Sequence, residues 1–120
     1  MLERIDHIDV RVPSLSEAEH FLLGLGFEVR RRHDGERSSV EMALPGDGQV
    51  FFEIREDTTL ESSIVDHIAF AAGDVSDTVT VLQNAGYPAK EPRLVPSTGR
   101  TVSSFATPLG FKWQLTDRSK

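Results

Sequence analysis

His7 and His67 stand in the same tripeptide, Asp-His-Ile, at an offset of 60 residues. Imidazole nitrogens ligate borderline metal ions and carry protons near neutral pH. The offset is not isolated. Leu22 matches Leu82, Leu25-Gly26-Phe27 matches Ala85-Gly86-Tyr87, and Ser14-Leu15-Ser16-Glu17 matches Asp74-Val75-Ser76-Asp77, all at 60. Near the ends, Phe52-Glu53-Ile54 matches Trp113-Gln114-Leu115 at 61, which requires one inserted residue. The repeat therefore pairs His7 with His67 and Glu53 with Gln114. Two imidazoles, one carboxylate and one amide oxygen suit a divalent ion such as Zn, Ni, Co, Mn or Fe. With Glu53 as the one anionic ligand, such a centre keeps positive charge. It could polarise a carbonyl or hold an enolate.

These side chains need elements to position them. The chain reads as two β-α-β-β-β modules, residues 1–57 and 64–120, joined by a polar link and sharing one domain over 1–120. Residues Arg4 to Val12 alternate and stop at Pro13, as a strand does. Ser14-x-x-Glu17 is a capping-box signature, followed by Leu15, Ala18, Phe21, Leu22 and Leu25 at helical spacing. Phe27 to Arg32, Ser39 to Leu44 and Gln49 to Arg55 read as three strands. The second module gives a strand at Val65 to Ala72 and a helix at Val75 to Ala85. Weaker strands follow at Tyr87 to Leu94 and Arg100 to Ala106, then one at Phe111 to Thr116. Strand side chains alternate between faces. Ile8, Val10, Val12, Phe52 and Ile54 then face the helix, and His7, Asp9, Glu53 and Phe51 take the opposite side. Likewise His67 and Gln114 lie opposite Ile68, Phe70, Trp113 and Leu115. A merely solvated sheet face would look similar; the repeat symmetry favours a metal.

Composition sets the limits. The chain has 120 residues, 38% hydrophobic and 27% charged, which supports one folded domain. A net charge of -6 disfavours nucleic acid as a main partner. No apolar run is long enough to span a bilayer, and the charged start is unlike a signal peptide, so a cytoplasmic protein off the membrane is expected. There is no cysteine, which leaves nitrogen and oxygen ligands only.

The sequence resembles the vicinal oxygen chelate superfamily of glyoxalases, bleomycin-resistance proteins and extradiol dioxygenases. The resemblance rests on Asp6-His7-Ile8-Asp9-Val10, Leu25-Gly26-Phe27, Asp66-His67-Ile68-Ala69-Phe70 and Ala85-Gly86-Tyr87. It also rests on the ending Phe105-Ala106-Thr107-Pro108-Leu109-Gly110-Phe111-Lys112-Trp113-Gln114-Leu115. It implies an α+β fold, with tandem β-α-β-β-β modules forming an incomplete eight-stranded barrel and helices outside. A divalent metal on His7, Glu53, His67 and Gln114 is implied as well, often in a homodimer. The implied activity is a glyoxalase-type lyase or isomerase acting on a small oxygen-chelating substrate through an enediolate-type intermediate. Two departures bear on this. Gln114 stands where glyoxalases and epimerases usually carry glutamate, and glutamine accepts no proton at neutral pH. Thr107 replaces the usual aspartate of the final turn.

Glu53 is then the first candidate for the catalytic base, with Asp9 and Glu41 behind it, although the face of Glu41 is open at this stage. Asp9, Phe51 and Phe105 are expected on the substrate pocket. His20, His33 and Arg30-Arg31-Arg32 read as surface groups, and Ser97-Thr98-Gly99-Arg100 as a turn. An enzyme is favoured over a metal-free drug-binding protein of the bleomycin-resistance type. A metal-dependent transferase opening an epoxide antibiotic ranks below both.

Overall fold

The computed structural model describes residues 2–35, 38–96 and 98–117. Its elements follow the order β1 (Leu2–Val12), α1 (Leu15–Gly24), β2 (Glu28–His33), β3 (Ser39–Ala43), β4 (Phe51–Glu56), β5 (Ile64–Ala72), α2 (Val75–Asn84), β6 (Arg93–Val95), β7 (Arg100–Ala106) and β8 (Lys112–Thr116). Parallel and antiparallel pairs are mixed within each run of four strands, β2-β3-β4-β1 and β5-β8-β7-β6. Ser97, part of the expected turn, lies outside the described residues. Tyr87 to Leu94 is mostly irregular, and only Arg93–Val95 is a strand. Pro88 and Pro92 explain the loss, since proline donates no hydrogen bond to a ladder.

Two compact units emerge, one of residues 7–66 and one of residues 1–6 with 67–120. Their boundaries fall within β1 and β5 and not at the polar link. In the first unit the hydrogen-bonded order is β2-β3-β4-β1, with β1 and β4 parallel. In the second it is β5-β8-β7-β6, with β5 and β8 parallel. The opening residues join the second unit through a specific contact: Arg100 Nη1 donates to Asp6 Oδ2 at 2.9 Å, and Asp6 is buried.

The repeat is legible in backbone detail. Ser14 and Asp74 are extended N-caps with almost equal torsions, and each accepts from the amide three residues on. Both helices close with the same pair of bonds: Phe27 N to Leu22 O with Gly26 N to Leu23 O, and Tyr87 N to Leu82 O with Gly86 N to Gln83 O. This ending needs a left-handed residue, and Gly26 (φ +98°) and Gly86 (φ +93°) supply it. Burial differs between the units. In the first, Val12, Val40, Met42 and Ile54 form the core, with Leu15, Ala18 and Leu22 of α1 partly buried against it. In the second, Val75, Val79 and Leu82 of α2 are buried among Ala72, Ala89 and Leu115.

Candidate functional site

The face of the first unit that lies opposite its core is built from four strands. His7, Asp9 and Arg11 of β1 pair with Phe51, Glu53 and Arg55 of β4. Glu53 and Arg55 pair in turn with Glu41 and Ser39 of β3. This register settles the face of Glu41, which stands directly across from Glu53. Arg31 of β2 is opposite Glu41. Like charges directly opposite on neighbouring strands are destabilising, so Glu41 and Glu53 together mark a place where a cation is useful.

The side chains converge. His7 is 4% exposed, and its ring stacks on Phe51 with centroids 5.0 Å apart. Its Nε2 lies 3.6 Å from Glu53 Oε2. The other carboxylate oxygen, Oε1, accepts from Arg55 Nη2 at 2.7 Å. Arg55 Nε also lies 3.2 Å from Oδ2 of Asp9, which is fully buried. Arg11 Nη2 is 3.4 Å from Asp66 Oδ1. Burial works to lower the Arg55 pKa, but Glu53, Asp9 and Asp66 outweigh it and hold Arg55 above its ordinary value.

In the second unit His67 is opposite Lys112, and Gln114 is opposite Ala69. The pairing repeats that of the first unit. There Glu53 is opposite Asp9, two residues after His7; here Gln114 is opposite Ala69, two residues after His67. Each unit thus presents one imidazole and one oxygen donor from its first and fourth strands, in the same register.

The expected pocket residues are placed differently from one another. Phe51 is on the His7 face, stacked as described. Asp9 is there too, fully buried and 3.2 Å from Arg55 Nε. Phe105 corrects the expectation. It pairs with Trp113 across β7 and β8, which puts Ser104 beside Gln114 and sends Phe105 to the helix-packed side. There it packs against the cluster of Leu115 and Val79. Arg55 and Arg11 were given no role in the sequence reading. The signal was available, because alternation from Glu53 puts Arg55 on the same face.

Among the groups set aside, Arg30 donates to the carbonyls of Leu44 and Gly46, each at 3.0 Å. Arg32 pairs with Glu19 of α1, which raises its pKa. Both belong to exposed β2, at the outer edge of its unit. On the core side of the first unit, a cavity of about 410 Å³ opens between α1 and the sheet, lined mainly by Val10, Val12, Phe52, Ile54, Ala18 and Phe21. No helix among the described residues is long and apolar enough to cross a membrane.

The spacing of His7 and Glu53 fits a shared divalent ion. His7 Nε2 and Glu53 Oε2 are 3.6 Å apart. Ligand atoms about 2.0–2.2 Å from a tetrahedral centre are separated by roughly 3.4 Å. The pair therefore needs little adjustment to share one ion. Asp9 and Asp66 also bring carboxylate oxygens within 4.8 Å of each other, but Arg55 and Arg11 already stand beside them.

Paired parallel first and fourth strands, duplicated around one helix each, define the class of the fold. Residues 4–115 match the family described as the Glyoxalase/Bleomycin resistance protein/Dioxygenase superfamily. The chain belongs to that superfamily, the vicinal oxygen chelate proteins. Similar solved structures include a Streptomyces coelicolor methylmalonyl-CoA epimerase variant in complex with 2-nitronate-propionyl-CoA. It is 21% identical with a TM-score of 0.80, and 100% of each chain is covered. The methylmalonyl-CoA epimerase of Mycobacterium tuberculosis is 13% identical with a TM-score of 0.81, covering 99% of this chain and 90% of its own. At these identities the likeness is one of fold. Among curated proteins, none gives a significant sequence match.

Proposed function

We propose that this protein is a divalent-metal-dependent isomerase or lyase of the glyoxalase type, acting on a small substrate with two neighbouring oxygens. On this reading the metal ligands are His7, Glu53, His67 and Gln114. The observation that carries the reading is the repeated register, in which each histidine has an oxygen donor on the parallel neighbour strand, paired two residues further on. The superfamily membership and the epimerase-like fold support it. The ion would be Zn, Ni, Co, Mn or Fe, and when bound it would stabilise negative charge developing on the substrate oxygens.

The chain's own residues do the rest. Phe51 holds the His7 ring by stacking, which fixes the direction of Nε2. Glu41 removes a proton from the carbon next to the polarised carbonyl and returns it. It is the carboxylate directly across from Glu53, and a base must be within reach of the atom it deprotonates. Glu53 serves as ligand, because one of its oxygens is engaged by Arg55. Gln114, an amide, donates an oxygen and takes up no proton. Carboxyl thioesters of the malonyl kind, which carry an acidic carbon between two carbonyl groups, are the first substrates to try, alongside hemithioacetals. The protein is expected to work as a cytoplasmic homodimer.

Metal analysis of tag-free protein and NMR of substrate in deuterated water test this. About one equivalent of metal per chain is expected, lost in His7→Ala and His67→Ala. Deuterium should enter the substrate carbon with the parent protein and not with Glu41→Gln. Absence of metal uptake from Zn, Ni, Co and Mn would sink the proposal.

A second reading has one observation in its favour, the apolar cavity beneath α1. It would suit a drug-binding protein of the bleomycin-resistance type. Binding of an aromatic drug that survives chelator and His7→Ala but is lost in Phe52→Ser would favour this reading.

A further inference from the structure

Asp9, Arg55 and Glu53 form a connected chain on the His7 face. Arg55 Nε lies 3.2 Å from Asp9 Oδ2, and Arg55 Nη2 donates to Glu53 Oε1 at 2.7 Å. Asp9 is fully buried, so one end of this chain is fixed in the sheet. The registers identify the counterpart of each residue in the other unit. Glu53 corresponds to Gln114, Asp9 to Ala69, and Arg55 to Thr116. The ion pair is therefore present where the fourth strand carries a carboxylate. Where that strand carries an amide, two small neutral residues stand instead.

The chemistry of the two donors explains this pattern. An amide has one oxygen and one nitrogen, so it has a single way to present oxygen to a cation. A carboxylate has two equivalent oxygens, and it can bind a metal through either or both. A guanidinium fork on one oxygen removes that equivalence. We propose that Asp9 and Arg55 are positioning residues: Asp9 anchors Arg55, and Arg55 engages Glu53 Oε1 so that Oε2 alone is presented on the His7 side. Glu53 is thereby a one-oxygen metal ligand of fixed orientation. The inference rests on the metal-site reading above. It adds that the ligand needs two supporting residues of opposite charge. Lysine cannot replace the arginine fully, because its single ammonium lacks the rigid fork that serves two carboxylates at once.

Cobalt titration of the metal-free full chain, followed by visible absorption, tests the inference. The proteins are the parent, Arg55→Lys, Arg55→Met and Asp9→Asn, with both Arg55 variants repeated in a Glu53→Gln background. Arg55→Met should weaken cobalt binding by about 10- to 100-fold, the usual effect of losing a group that orients a ligand. Arg55→Lys should recover part of that loss. Both should alter the intensity of the cobalt bands as Glu53 changes its mode of binding. In the Glu53→Gln background the same changes should shift affinity by less than about twofold, because the coupling partner is gone. A merely structural role would give equal losses in both backgrounds, and that result would overturn the inference. Parent-like affinity and spectrum in Arg55→Lys and Arg55→Met would overturn it too, while leaving the metal site standing. A parent protein that takes up no cobalt removes the metal reading and this inference together. Melting of each metal-free variant identifies unfolded protein, and Arg55→Lys, which keeps the charge, carries the test if Arg55→Met does not fold.

Discussion

In the unit of residues 7–66, the face beside His7 carries Asp9, Arg11, Glu53 and Arg55; at the same register positions the other unit carries Ala69, Ala71, Gln114 and Thr116. The backbone device is the same, down to the caps and the glycine endings of the helices. Charge has been concentrated on one copy and removed from the other. The helices differ in the opposite sense. None of the residues of α1 is buried, whereas Val75, Thr78, Val79 and Leu82 of α2 are. The second unit thus has the more buried helix, and the first has the more charged face beside its histidine. Buried ion pairs contribute little net stability, because desolvation offsets their attraction. The charged copy is therefore better explained by chemistry than by folding.

Substitutions can break that comparison. Leu82→Ala should cost about 3 kcal/mol, in the range for a buried leucine, and Leu22→Ala in the first unit about half as much; urea unfolding measures both. Equal costs would show that the two helices pack alike. Glu53→Gln makes the two fourth strands alike, and metal affinity should fall roughly a hundredfold, near 2.7 kcal/mol. Gln114→Glu runs the other way and should tighten binding by about tenfold through the added anion. Asp9→Ala copies Ala69 and leaves Arg55 with Glu53. The loss should be about 2 kcal/mol, below the full cost of breaking a buried pair because Arg55 keeps partial access to water. The sign of its pH dependence follows from the raised Arg55 pKa. The contribution is complete below the ordinary guanidinium range and is lost only as pH rises through the raised value, so unfolding midpoints should show no loss from Arg55 deprotonation near neutrality. Arg32→Ala, which cuts the exposed link from β2 to Glu19, should leave the urea midpoint nearly unchanged, because solvent screens an exposed ion pair.

Much of this was legible in the sequence. Alternation put His7 with Glu53 and His67 with Gln114, and the capping residues Ser14 and Asp74 and the glycines at 26 and 86 marked both helix ends. Period and turn chemistry are local signals, and they act here as they would in a peptide. What escaped was the pairing of one strand with another. The face of Glu41 and the wrong side assigned to Phe105 both depend on register, which no single strand contains. Arg55 was on the correct face but had no role until its distances to Asp9 and Glu53 were known. The irregular stretch before Arg93 was a propensity error, with two prolines outweighing an apolar pattern.

The membership of the first six residues has a consequence in time. They precede the 7–66 unit along the chain, yet they belong to a unit whose other residues begin at 67. Arg4 lies 3.6 Å from Asp6, but the 2.9 Å contact of Asp6 is with Arg100, 94 positions later. Synthesis proceeds from the N-terminus, so the 7–66 unit is complete before Arg100 is made. Loop closure over such a span is slow compared with local contacts. Docking of the segment before His7 onto the later unit is then expected to follow completion of the 7–66 unit. Cutting the link between the modules would strand that segment on the wrong fragment.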